Sequence, residues 1–344
     1  MDSNQPCMKT PVFYCFQLKL GMEIEYKLYL SRNAWEATIM RWNMINLSIL
    51  LIALLTIGGC GAKGKTSETP EERHAREAYV SVNDYVGEGY DLPGGQKNDP
   101  IAKEKFEEIA AATEQFFLDK YKTEVIVHNA VGAIDGIMIF VESPHEPKFN
   151  TYALMPVNSK ENKIYPDKIW TESGQVEQSL FGGLLAMIME DEFAALDQYF
   201  EEFTKKHPVT GLQQEAINNV KKTGYTTSYY FIQPLSLREE MEKINALYLE
   251  NPKITIEELR KHFDKHEYNA EKLAFGINLF MSEPGLEPNE EIFEQLLNDL
   301  SNNSSLPRGA NTVSLHDNNI NKKTGIGHKD NTMNEGNIVP IIRD

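Results

Sequence analysis

Cysteine is scarce in this 344-residue chain, which has three: Cys7, Cys15 and Cys60. Two of them precede an apolar run that ends at Cys60, so a product processed there keeps no second thiol and no internal disulfide. Nucleophile triads are excluded on similar grounds, because no thiol stays free downstream and no Gly-x-Ser-x-Gly elbow occurs. Positive charge is also short: 34 Lys and Arg face 51 Asp and Glu, a formal net charge of −17. That balance argues against nucleic acid or anionic lipid as partners, since both reward Lys and Arg. No cofactor is nominated by any motif. The unbroken apolar stretch also falls short of the about 20 residues that a bilayer-spanning helix needs.

What is present begins with that stretch, Asn46-Leu-Ser-Ile-Leu-Leu-Ile-Ala-Leu-Leu-Thr-Ile-Gly-Gly-Cys60, followed at once by Gly61-Ala-Lys-Gly-Lys. Its length matches the roughly 7–15 residues of a signal-peptide h-region. Small residues before a cysteine let an extended backbone enter a peptidase cleft beside a thiol that is to be acylated. The expectation is a lipoprotein signal over residues 40–59, cleaved between Gly59 and Cys60, with diacylglycerol on Cys60. Two acyl chains hold a protein at a membrane where one binds only marginally, because burial contributes about 0.8 kcal/mol per CH₂. The predicted location is the outer face of the cell membrane. The alternative is a buried core helix or a span with a chance cysteine.

Residues 1–39 fit this signal badly, being a long polar and aromatic segment ahead of a leader whose n-region offers only Arg41. The expectation is that translation starts at Met40 or Met44 and that residues 1–39 are mis-assigned. A peptide from Cys7 to Lys27 in the precursor would contradict it.

After Cys60, residues 60–78 are rich in Gly, Lys, Thr, Ser and Glu without apolar periodicity, which predicts a flexible tether. The folded domain is then expected over residues 79–332, with a sub-boundary near 207–235 and a disordered tail at 333–344. Tyr79 to Gln96 reads as a packed loop; its Gly87-x-Gly89 lacks the third glycine and helix start of a phosphate loop. A helix is expected from Pro100 to Tyr121, capped by Asp99. Strands follow at Thr123–His128 and Gly136–Glu142, joined by the hairpin signal Asp135-Gly136, and at Asn150–Val157. A helical region from Gln175 to Phe203 is broken at Glu190-Asp191-Glu192, where consecutive acids point in different directions and form a solvated break rather than an acid–base pair. Gly224–Ile232 reads as extended, Leu235–Leu249 and Thr255–Phe263 as helices, the latter with Glu258 completing a capping pattern. Leu273–Met281 alternates as a half-buried strand, Pro288–Leu300 is helical, and Thr312–His316 is a last strand.

Two constellations resemble metal sites. His262 and His266 stand at i and i+4, but Phe263 occupies the position where a zinc-protease motif needs its glutamate, and no third ligand can be nominated. Asp317-Asn-Asn319-Ile-Asn321 imitates the start of a calcium loop, yet Lys322 replaces its turn glycine and His328 its bidentate glutamate, so it is rejected. Tyr225, Tyr229, Tyr230 and Phe231 are the candidates for an aromatic ligand groove, with burial in the core as the competing role.

The stretches Tyr79–Tyr90, Phe117–Val125 with His128-Asn129, Val131-Gly132 through Asp135-Gly136, Phe140–Glu142, Asn321–Gly325 and Lys329–Thr332 are similar to a family of uncharacterised lipoproteins from staphylococci and bacilli, a domain of unknown function. The resemblance implies a Gram-positive envelope, a lipidated cysteine and a domain that continues through Thr332. It carries over no catalytic residue. The fold class expected is α+β, helices packed on antiparallel sheet in possibly two α/β modules. The function expected is a membrane-anchored envelope lipoprotein that binds a protein, peptide or wall component; the alternative is a membrane-tethered hydrolase.

Overall fold

The hairpin signal at Asp135-Gly136 marks the centre of the first sheet. In the structure, a computed structural model that describes residues 78–234, 236–336 and 340–343, strands β2 (Ile126–Ala133), β3 (Gly136–Glu142), β4 (Asn150–Asn158) and β5 (Lys163–Ile164) form an antiparallel meander in chain order. The turn is Ile134-Asp135, and Gly136 already pairs with Ala133. The need for glycine there is steric, since a Cβ would lie 2.6 Å from Met155 O on β4. Strand β2 starts later than Thr123 and runs past His128, where a bulge leaves that residue outside the ladder.

The expected helix Pro100–Tyr121 is two helices, α1 (Asp99–Glu104) and α2 (Phe106–Tyr121), broken at Lys105. Asp99 is not a cap. Its Oδ1 accepts from Gly132 N at 2.7 Å, and Asn98 Nδ2 donates to Ala133 O at 2.7 Å, so both side chains dock the helix start onto the hairpin. Ile109, Phe117 and Tyr121 then cover Ile137, Ile139 and Val141, while Met138 and Phe140 on the other face pack with Val131, Tyr152 and Tyr90. Strand β3 is therefore buried on both sides.

Helices α3 (Gln175–Ile188) and α4 (Glu190–Lys206) meet at a break at Met189. The acidic cluster opens α4, where the positive end of the helix dipole favours carboxylates. Glu190 accepts from Arg260 at 3.0 Å and Glu192 pairs with Lys265 at 2.6 Å. Helices α5 (Gln214–Asn219), α6 (Arg238–Glu250), α7 (Ile256–Arg260) and α8 (Glu290–Asn302) complete the set among the described residues. Thr255 caps α7 through Glu258 N, as its sequence predicts.

The second sheet is built on β8 (Leu273–Met281), the strand the alternation predicts. Its neighbour β9 (Gly309–His316) is parallel to it, so this sheet is mixed rather than antiparallel. Parallel pairing requires a long crossover, and α8 supplies it. The other edge of β8 carries two strands in tandem, β6 (Val209–Thr210) against Met281 and Phe280, and β7 (Tyr230–Pro234) against Ile277 to Leu273. Leu273, Phe275, Ile277, Leu279 and Met281 join α3 and α4 in the main core. Phe280 points into a smaller core with Leu212, Ile217 and Ile320, which explains burial on both faces where the alternation predicts one.

The tail beyond Asp317 is structured. Strands β1 (Tyr79–Ser81) and β10 (Asn319–Asn321) pair antiparallel. Residues 333–344, expected to be disordered, supply β11 (Met333–Glu335) and β12 (Ile341–Arg343), which bond in tandem to the outer edge of β9. A composition rich in Asn, Lys and Gly hides this because the strands are three residues each and draw order from an edge that needs partners. The fold is α+β.

Candidate functional site

Between β6 and β7 the chain leaves the edge of β8 and returns 19 residues later. This excursion, residues 211–229, is pinched at its neck by Leu212 N bonding to Ser228 O at 2.9 Å, and Asn278 N on β8 reaches Tyr229 O at 2.9 Å. At its far end α5 is tied to the first sheet by side-chain amides. Asn218 Nδ2 donates to Glu142 Oε2 at 2.7 Å, Asn150 Nδ2 to Asn218 Oδ1 at 3.0 Å, and Asn129 Nδ2 to Asn219 O at 2.8 Å. His128, freed from the ladder by the bulge, places Nε2 2.8 Å from the same Glu142 oxygen. Gly224 exchanges both backbone bonds with Asn150.

Two cavities border this excursion, and Thr226 to Tyr229 line both. The first, about 420 Å³, is lined by Glu142, Lys148, Asp197, Glu201, Tyr225 and Tyr229, among others. Asp197 accepts from Tyr230 Oη at 2.8 Å. Burial pushes its carboxyl above the ordinary range; the Tyr230 bond and Lys148 act against that rise, and Glu201 adds to it. Burial likewise pushes the Tyr225 phenol up to about 12, with the Asp197 and Glu146 charges adding to it, so it stays a neutral donor. Three carboxylates against one lysine give this groove an acidic lining.

The second cavity, about 290 Å³, sits where β8 and β9 turn Asn278, Phe280, Ser314 and His316 away from the main core. His316 is buried, and its pKa is lowered to about 4, first by burial, then by the charges of Lys329 and His328 against the opposing pull of Asp317.

Residues 72–343 match the family model described as a protein of unknown function, DUF1672. The chain belongs to the DUF1672 family. The match covers all of the described residues, including the tail to β12. A DUF1672 family protein from Staphylococcus aureus subsp. aureus Mu50, solved by crystallography, has the same fold at a TM-score of 0.62 and 18% identity, over 78% of this chain and 98% of that one. No curated protein matches.

Within this DUF1672 chain the residues singled out by sequence fall apart. Gly59 and Cys60 lie outside the described residues. Helix α7 ends at Arg260, so His262 and His266 do not share a helical face; His262 Nε2 is 3.8 Å from Glu258 Oε1, and His266 N bonds to Asp264 Oδ1 at 2.9 Å. No group of three metal-ligating side chains converges among the described residues. The loop that imitates a calcium site is served by a lysine: Lys329 Nζ is 2.6 Å from Asp317 Oδ1, 2.5 Å from Asn319 O and 3.0 Å from Gly327 O. Of the four aromatic candidates, Tyr230 is core, while half-buried Tyr225 and Tyr229 line the acidic groove. Phe231 lies over Gly276, whose absent Cβ would be 2.2 Å from its ring. Sequence reasoning missed Lys222, His316 and the pair His128 and Glu142. A charged residue inside an otherwise extended or alternating segment was the available signal, and only for Glu142 and His316.

Proposed function

We propose that this chain is an envelope lipoprotein, anchored through diacylglycerol on Cys60 at the outer face of the membrane, which binds a cationic peptide or an amine-bearing wall component without catalysing a reaction. The observation that carries the binding reading is the open acidic groove lined by Tyr225 and Tyr229. Tyrosines offer large contact area with a polar tip, and carboxylates without a matching number of cations select positive charge. Asp197 is engaged by Tyr230 and Glu142 by His128 and Asn218, an arrangement that supports fixed recognition groups over hydrolytic ones.

The test is calorimetric titration of the full chain with a short Lys-containing peptide. Binding is expected to weaken with salt, and to fall about tenfold in Tyr229→Ala and in Glu201→Gln. Undiminished binding in both variants, or none in wild type, contradicts the reading. Radiolabelled palmitate should enter the wild-type protein and not Cys60→Ala.

A further inference from the structure

The second cavity inverts the charge of the chain around it. The protein carries 51 acidic residues, yet no Asp or Glu lines this space; its charged or titratable lining is Lys222, His316 and His328, with two tyrosines at the wall. Lys222 has neither an ion pair nor a hydrogen bond among the described residues. Lys222 is half-buried, and the protein atoms around it lower its pKa by withdrawing it in part from water. An ammonium partly withdrawn from water and without a counter-ion favours an anion that arrives to pair with it.

A second donor faces the same space. Thr332 Oγ1 accepts from Lys329 N at 2.9 Å, so its hydroxyl proton is free to go to His316 Nδ1, 3.0 Å away. The neutral imidazole then carries its proton on Nε2 and donates it to Asn278 Oδ1 at 3.3 Å. Asn278 is thereby oriented by a histidine that burial keeps uncharged, and its amide N–H₂ is left with donors to offer. Both nitrogens of His316 are committed, which removes it as a metal ligand. The rest of the wall is mixed: Thr226, Thr227, Ser228 and Ser314 supply hydroxyls, and Ile217, Phe280, Ile320 and Ile326, the last 55% exposed, supply apolar surface.

We propose that this cavity binds a small amphipathic anion, its carboxylate or phosphate held by the Lys222 ammonium and the Asn278 amide, its apolar body lying against Ile217, Phe280 and Ile320. The site shares the wall Thr226 to Tyr229 with the acidic groove and selects the opposite charge. Its volume admits a short acyl chain and excludes a folded partner.

The probes are hexanoate, hexyl phosphate and inorganic phosphate, titrated into the full chain by calorimetry. Hexanoate or hexyl phosphate is expected to bind, and whichever of the two binds tighter identifies the head group. That binding should fall at least about tenfold in Lys222→Met, the loss of one charged hydrogen bond, and survive in Lys222→Arg. Lys221→Met should leave it unchanged, because exposed Lys221 lies over the Tyr152 ring instead. Lys222→Met should melt no lower than wild type, since it removes an unpaired and partly desolvated charge, and that keeps the binding comparison valid. Binding of neither amphiphile, equal binding in Lys222→Met, or inorganic phosphate binding as tightly as hexyl phosphate overturns the proposal.

Discussion

At the scale of single residues, the molecule spends its buried polar groups on fixing loops. His316 is the sharpest case, because its folded pKa of about 4 lies below the ordinary 6.5. The unfolded chain therefore binds a proton between those values that the folded chain refuses. Stability from this group is complete above pH 6.5 and is lost as pH falls toward 4, a contribution of about 3 kcal/mol. Urea unfolding of wild type and His316→Gln at pH 7.5 and 4.5 measures it. The wild type should lose more stability across that range than the variant, and equal losses would contradict the assignment. At His316 the sequence offers only a titratable side chain closing an alternating strand and says nothing of what surrounds it. Its environment comes from Lys329 and Thr332, which arrive from beyond the strand, and from Asn278 on the neighbouring one.

At the scale of elements, local patterning told the truth about type and misjudged partnership. Leu273 to Met281 is a strand with the bounds its alternation predicts, and Thr255 with Glu258 caps α7 as expected. The break at Lys105 has no signal in the periodicity, Asn98 and Asp99 being bound to the hairpin instead of capping, whereas the break at Met189 falls one residue before the acidic cluster where the sequence places it. The parallel pairing of β8 and β9 was not legible either, because a strand's sequence does not encode its neighbour's direction. Helix α3 shows how packing overrides propensity. Gly→Ala in a helix interior ordinarily stabilises by about 1 kcal/mol. At Gly183 the new Cβ would lie 2.5 Å from Lys148 O, in the segment leading to β4, so we predict the opposite sign. Gly183→Ala should lower the thermal midpoint, and a raised midpoint would show that Lys148 yields without cost.

At the scale of the whole molecule, the excursion 211–229 is the part that gives the fold its character. It interrupts the edge of the second sheet, ties α5 to the first sheet through Asn129, Asn150 and Asn218, and supplies the wall that an acidic cavity shares with one lined by no carboxylate. From sequence, this stretch contributed an aromatic run and a possible boundary, since its role depends on residues that lie far away in the chain. The proposed Cys60 anchor would hold both cavities outside the cell. A photoreactive residue placed at Tyr229 of the full chain in intact cells tests that account most directly, with the exposed position Leu118 on α2 as the control. The account predicts a discrete adduct from Tyr229, absent from Leu118, on a membrane-fraction protein whose Cys60 is acylated. No adduct, equal adducts from both positions, or a soluble protein with Cys60 unmodified would contradict it.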